Sequence, residues 1–159
     1  MSSSTSKKTI IQRFDRENLQ GYLSLSAYLQ LSGVEILTQA GNLLLVPYSE
    51  IKTVSLVRDF APPDPAERKL FATRPKTPGL WVRFRFRDND VMDGLLANDL
   101  LRLETYGFSI TPPDASSNTQ RIFVPKAALS EIRVLAVVGS QPRTPKEPSK
   151  DQISLFETS

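Results

Sequence analysis

The sequence predicts an all-β chain in which a five-stranded unit is written twice and packed as one body, with polar tails on both sides. Three recurrences predict it. Short alternating apolar runs end in Phe14 and again in Phe86, and each is followed by a charged turn at residues 15–18 and 87–90. Glycines return at matching places, Gly21 with Gly94 and Gly33 with Gly107, and both fourth runs close on Val-Pro, at Val46-Pro47 and Val124-Pro125. Alternation with period two puts successive side chains on opposite faces of a strand, and its return along the chain marks a structural repeat.

Residues 1–7 are small and polar and have no apolar stretch ahead of a cleavage site, so they read as a disordered cap and not a secretory signal. The first copy spans residues 8–57 and the second residues 80–139. The second strands are Leu19-Gln20-Gly21-Tyr22-Leu23 and Met92-Asp93-Gly94-Leu95-Leu96, and the third are Gly33-Val34-Glu35-Ile36 and Gly107-Phe108-Ser109-Ile110. Proline ends each fourth strand because it cannot donate to a ladder. The residues after it, 48–51 and 126–132, suit a short helical turn that folds the last strand back. Ser49-Glu50-Ile51-Lys52 aligns with Ser130-Glu131-Ile132-Arg133, leading into the closing strands at residues 53–57 and 134–138. Gly21 and Gly94 are expected to mark a bend or bulge that curls the sheet.

This strand order and turn chemistry resemble the SH3-like or Sm-like small barrel. The paired unit is also similar to an uncharacterised bacterial family of such tandem repeats. The resemblance implies two small five-stranded barrels. A unit of about 50 residues is marginal alone, because small domains bury too little surface, so the two copies should pack together. One core is expected from Ile11, Phe14, Leu19, Val34, Ile36, Val46, Ile51 and Val54. The other is expected from Val82, Phe84, Phe86, Met92, Leu95, Phe108, Ile110, Val124, Ile132 and Leu135.

Residues 58–79 form a basic connector with prolines at 62, 63, 65, 75 and 78, a density that favours extended chain. Its one apolar patch, Lys69-Leu70-Phe71, suits a helical turn pinned to the body. Residues 140–159 carry Pro142, Pro145 and Pro148 among Ser, Thr, Lys and Glu, the composition of a disordered leash.

The 159 residues contain no cysteine and no histidine. Disulfides, thiolate catalysis and zinc–sulfur sites are excluded, and the commonest general base and transition-metal ligand are missing. No nucleophile–base pair and no phosphate-cradling glycine loop stands out, so the expectation is a protein that is not an enzyme and needs no cofactor. A net charge of +3 is too small to imply nucleic-acid binding by itself. No apolar run is long enough for a membrane span, and a cytoplasmic location is expected.

Two stretches carry candidate function. In Trp81-Val82-Arg83-Phe84-Arg85-Phe86-Arg87 the alternation puts Trp81, Arg83, Arg85 and Arg87 on one strand face, where they could track a phosphate backbone and stack a base of DNA or RNA. The opposing reading is a solvated face whose arginines pair with acids on neighbouring strands, such as Asp93. Asp88, Asp90 and Asp93 lack the glycine and distal glutamate of a calcium loop and read as a hairpin turn.

The second stretch is Gln152-Ile153-Ser154-Leu155-Phe156. Three large apolar residues in a polar tail are the pattern of a peptide that docks in a groove on another protein. The pentapeptide resembles the motif by which bacterial replication and repair proteins bind the DNA polymerase sliding clamp, with Ile153 in place of the usual leucine. The resemblance implies that Gln152 sets register through its amide, which donates and accepts, while Leu155 and Phe156 fill an apolar cleft. About a dozen residues separate Gly139 from Gln152, a span of roughly 20 Å as coil and roughly 40 Å extended. The competing reading folds these side chains back onto the protein's own sheet. The expectation is therefore a clamp-recruited replication or repair accessory protein. The alternatives are a nucleic-acid-binding barrel and a structural adaptor that binds along an exposed barrel edge.

Overall fold

The computed structural model describes residues 6–61, 66–114 and 118–139. Ten strands run through them: β1 (Ser6–Arg13), β2 (Leu19–Ser24), β3 (Gly33–Thr38), β4 (Leu43–Pro47), β5 (Ile51–Val57), β6 (Gly79–Phe86), β7 (Val91–Leu96), β8 (Gly107–Thr111), β9 (Thr119–Pro125) and β10 (Leu129–Val138). All pair in one sheet of order β10-β6-β7-β8-β9-β5-β1-β2-β3-β4. The chain is all-β as expected. It forms one open sheet, not two sheets each closed on itself. Each half contributes five strands in the same order, β5-β1-β2-β3-β4 and β10-β6-β7-β8-β9, and the β9–β5 pair joins them.

Both Val-Pro steps do the same work. Pro47 (φ −60°, ψ 141°) and Pro125 (φ −63°, ψ 142°) each lead into a single 3₁₀ turn, Tyr48–Glu50 and Lys126–Ala128. Each turn is closed by the next backbone N–H, Ile51 to the Tyr48 carbonyl and Leu129 to the Lys126 carbonyl. Ile51 therefore matches Leu129, and the expected match of Ile51 with Ile132 is wrong. The Ser-Glu-Ile strings look alike, but the turn after each proline has one length and sets the register.

The ladders agree with this correction. Ile11 faces Val54 as Phe84 faces Ile132, and both last strands carry a bulge in the same place, at Lys52 and at Ser130. The Phe14 N–H donates to the Glu50 carbonyl as the Arg87 N–H donates to that of Ala128. Phe14 is thus the counterpart of Arg87, not of Phe86.

Gly21 and Gly94 sit in ladder segments without a register shift, so the bulge expected there is absent. A Cβ on Gly21 would collide with the Leu37 carbonyl and the Ile36 side chain, and one on Gly94 with Ile110. Close packing of the second strand on the third is what these positions require.

Two apolar clusters form the core. The first holds Ile11, Leu23, Val34, Ile36, Val46, Ile51 and Val54, and Phe123 enters it from the second half. The second holds Val82, Phe84, Phe86, Met92, Ile110, Ile122, Val124 and Ala128, and Phe14 of the first half packs against it. The assignment of Phe14 to the first core is thereby corrected. The halves exchange aromatic side chains across the join, which ties them into one body. Ile132, expected in the core, is 40% exposed because β10 ends the sheet and no other described strand lies beyond it.

Candidate functional site

The arginine-rich strand is β6, and its outer face is organised by one buried carboxylate. Asp93 on β7 is fully buried. It lies opposite Arg83 in the ladder and receives the Arg83 Nε at 2.6 Å and Nη2 at 3.0 Å. The Trp81 Nε1 donates to it at 3.2 Å and the Phe71 backbone N–H at 3.1 Å. The Asp93 N–H in turn donates to the Lys69 carbonyl. Burial pushes the Asp93 carboxyl up, but Arg83, the Phe71 N–H and Trp81 outweigh it and hold the group below the usual carboxylate range. Arg83 is raised, first by its hydrogen bond to Asp93.

Trp81 and Arg83 therefore clamp the connector to the sheet. Phe71 packs edge-on against the Trp81 ring at 6.0 Å. The Lys69-Leu70-Phe71 patch is pinned to the body as expected, but as bent, irregular chain against β7 and not as a helical turn, because its backbone groups are used by Asp93.

The other two arginines have separate partners. Arg85 is half exposed and lies 3.6 Å from Glu131 on β10, which also pairs with Arg133 at 3.0 Å. Arg87 stacks on the Phe14 ring at 4.0 Å and donates to the Ser49 carbonyl in the first half. Trp81, Arg83 and Arg85 thus lie along β6 and Arg87 in the turn after it; Trp81 and Arg83 share Asp93, while Arg85 and Arg87 each have a partner of their own.

Asp88 and Asp90 form a hairpin turn with Asn89 at φ 70°, a left-handed position that asparagine tolerates. Lys52 of β5 reaches both, at 2.8 and 2.9 Å, and also lies over the Phe86 ring. Burial lowers the Lys52 ammonium, but the two aspartates outweigh it and raise it above its usual range. These contacts join the halves a second time. Among the described residues there is no cluster of three or more His, Cys, Asp or Glu able to hold a metal, and no helix long and apolar enough to cross a membrane.

A feature that the sequence reading missed lies over the join. A cleft of about 230 Å³ is lined by Leu25, Tyr28, Val54, Leu56, Glu104, Ser109, Arg121 and Phe123. Glu104 Oε1 accepts from the Ser109 hydroxyl at 2.9 Å, while its Oε2 is buried without a partner among the described residues. Burial and then Glu104 push the Tyr28 hydroxyl up. Nearby, Tyr48 stacks on Tyr106 at 5.0 Å and is pushed up to about 12, first by burial and then by Tyr106. Such a cleft can accept a hydrogen-bond donor. No local spacing signals it, because its walls come from both halves.

The pentapeptide Gln152, Ile153, Ser154, Leu155 and Phe156 lies outside the described residues. A family model matches residues 5–136, so it spans both halves and stops short of that peptide; its description is a family of unknown function (DUF6982). No curated protein and no solved structure matches the chain.

Proposed function

The chain belongs to this DUF6982 family of unknown function, and from that premise we propose that it is a non-enzymatic accessory protein of DNA replication or repair, recruited to the sliding clamp by residues 152–156. The observation that carries the reading is the string Gln152-Ile153-Ser154-Leu155-Phe156 itself, placed beyond the family-matched region on a proline-spaced segment. A docking peptide carried as an appendage needs no contact with the body that it recruits. The likeness of each half to a small SH3-like or Sm-like barrel rests on its strand order, and it makes the body the delivered part.

Leu155 and Phe156 would each supply roughly 1.5–3 kcal/mol if fully buried. The ordering cost of a flexible peptide leaves a micromolar-range affinity as the expectation. The nucleic-acid alternative has less support, because Trp81 and Arg83 already serve Asp93 and Arg87 serves Phe14.

The test is titration of purified clamp with the intact chain, with Gln152→Ala, and with the double variant Leu155→Ala/Phe156→Ala. The single change should weaken binding about tenfold and the double change at least a hundredfold. Equal binding by all three chains would end the proposal.

A further inference from the structure

The corrected register makes the two halves comparable strand by strand, and the comparison exposes an unused copy of the internal join. At that join β9 lies antiparallel to β5, with Val54 opposite Phe123, Ser55 opposite Ile122 and Leu56 opposite Arg121. Phe123 is 3% exposed, Ile122 8% and Val54 1%. In the repeat, β9 corresponds to β4, since Val34 faces Val46 as Phe108 faces Val124. Hence Leu45 matches Phe123, Leu44 matches Ile122 and Leu43 matches Arg121. By the same logic β10 corresponds to β5, with Ile132 matching Val54 and Val134 matching Leu56.

These counterparts lie at the two ends of the sheet order, each on a strand with a ladder partner on one side only among the described residues. Leu43, Leu44 and Leu45 are 69%, 41% and 45% exposed, and Ile132 and Val134 are 40% and 54% exposed. An exposed run of three leucines on an edge strand lacks the charges and prolines that normally guard such edges; Pro47 stands only at its end. On β10, Arg74 of the connector donates to the Val137 carbonyl, past the stretch that matches the join.

We propose that the β4 edge of one chain pairs with the β10 edge of a second copy, repeating between chains the join that β9 and β5 make within one. The expected register sets Leu45 against Ile132, Leu44 against Arg133 and Leu43 against Val134. The occupant is a second copy because the two free edges are the repeat counterparts of two edges that already fit each other. The contact is head-to-tail, so every added chain presents a fresh edge. Such an interface gives a ring where the rotation closes and a filament where it does not.

The experiment is sedimentation velocity on the intact chain across a wide concentration range, with Leu45→Lys and Val134→Lys as edge variants, since Leu45 is the counterpart of the buried Phe123. Both positions are exposed in the single chain, and circular dichroism checks that each variant folds. The wild type should shift from one chain mass to multiples of it. A buried lysine at either edge should weaken assembly by at least about a hundredfold. Each variant alone should stay monomeric, but an equimolar mixture should form a one-to-one dimer, since one keeps a good β10 edge and the other a good β4 edge. A wild type that stays monomeric throughout overturns the proposal. So does assembly of either variant equal to that of the wild type, or a mixture that stays monomeric where the wild type assembles.

Discussion

The two halves share strand order, bulge position and turn, yet the same ladder site carries Ile10 opposite Gln20 in the first half and Arg83 opposite Asp93 in the second. The difference follows from what lies over each sheet. In the first half Phe60 meets Tyr22 edge-on and Lys8 at 5.9 Å, a contact that needs no buried charge. In the second, the connector turns backbone groups toward β7, and these need a hydrogen-bonding partner. Asp93 supplies acceptor and donor together, and Arg83 and Trp81 neutralise and complete it. A repeat thus keeps its backbone while its outer face is rewritten to suit the chain that crosses it.

The largest effect is expected where the halves meet. Phe123→Ala empties a position buried in the opposite core and should cost about 3–5 kcal/mol of unfolding free energy in urea titration. Its counterpart Leu45→Ala should cost less than about 1 kcal/mol in dilute solution, since Leu45 is exposed there. Equal losses at the two sites would break the distinction between a filled join and an open edge. A loss at Leu45 that grows with protein concentration would sharpen it, because only the assembled state buries that residue.

The next effect separates the outer faces. Asp93→Ala removes the acceptor for three donors and should cost about 3 kcal/mol, at the low end for a broken buried pair because Arg83 retains access to water. Gln20→Ala, at the matching site, should stay within about 0.5 kcal/mol. The folded-state carboxyl of Asp93 is depressed, so its contribution is present above the unfolded value near 3.9 and is lost as pH falls through the folded value. The gap between wild type and Asp93→Ala should therefore hold at neutral pH and narrow below about pH 4. A gap that widens in acid would mean that Asp93 is not held as the anion.

Strand positions, the Val-Pro stops and most core residues were legible, because alternation and proline act locally. Phe84, Phe86, Ile36 and Val124 needed only period two to be placed. The repeat register failed at its last strand, where the likeness of Ser49-Glu50-Ile51 to Ser130-Glu131-Ile132 competed with a turn of fixed length. The β9–β5 join was not legible, since no periodicity within either copy says which edge of one meets which edge of the other. For the same reason Phe123 and Phe14 were placed in the wrong core or in none, and the Glu104 cleft went unseen. The burial of Asp93 left a faint trace: an acid between Met92 and Gly94, on a strand whose other residues are apolar. The clamp-like peptide was legible in full as a string.

The smallest expected effect tests the arginine strand against itself. Arg83 and Arg85 are two residues apart on one face, so composition gives them the same role. Arg83 meets a fully buried carboxylate through two nitrogens, whereas Arg85 meets a half-exposed glutamate at 3.6 Å that Arg133 already engages. An exposed pair at that distance gains little over water, so Arg85→Ser should change stability by no more than about 0.5 kcal/mol. Arg83→Ser should cost more, because it leaves Asp93 buried with only Trp81 and the Phe71 N–H. Thermal unfolding of the two variants in low and high salt reads the difference directly. If Arg85→Ser proved as damaging as Arg83→Ser, the strand face would act as one structural unit and Asp93 would not be its organiser. If Arg85→Ser instead left stability intact but removed salt-dependent binding of single-stranded nucleic acid, the loosely paired end of the strand would be the part free for a ligand.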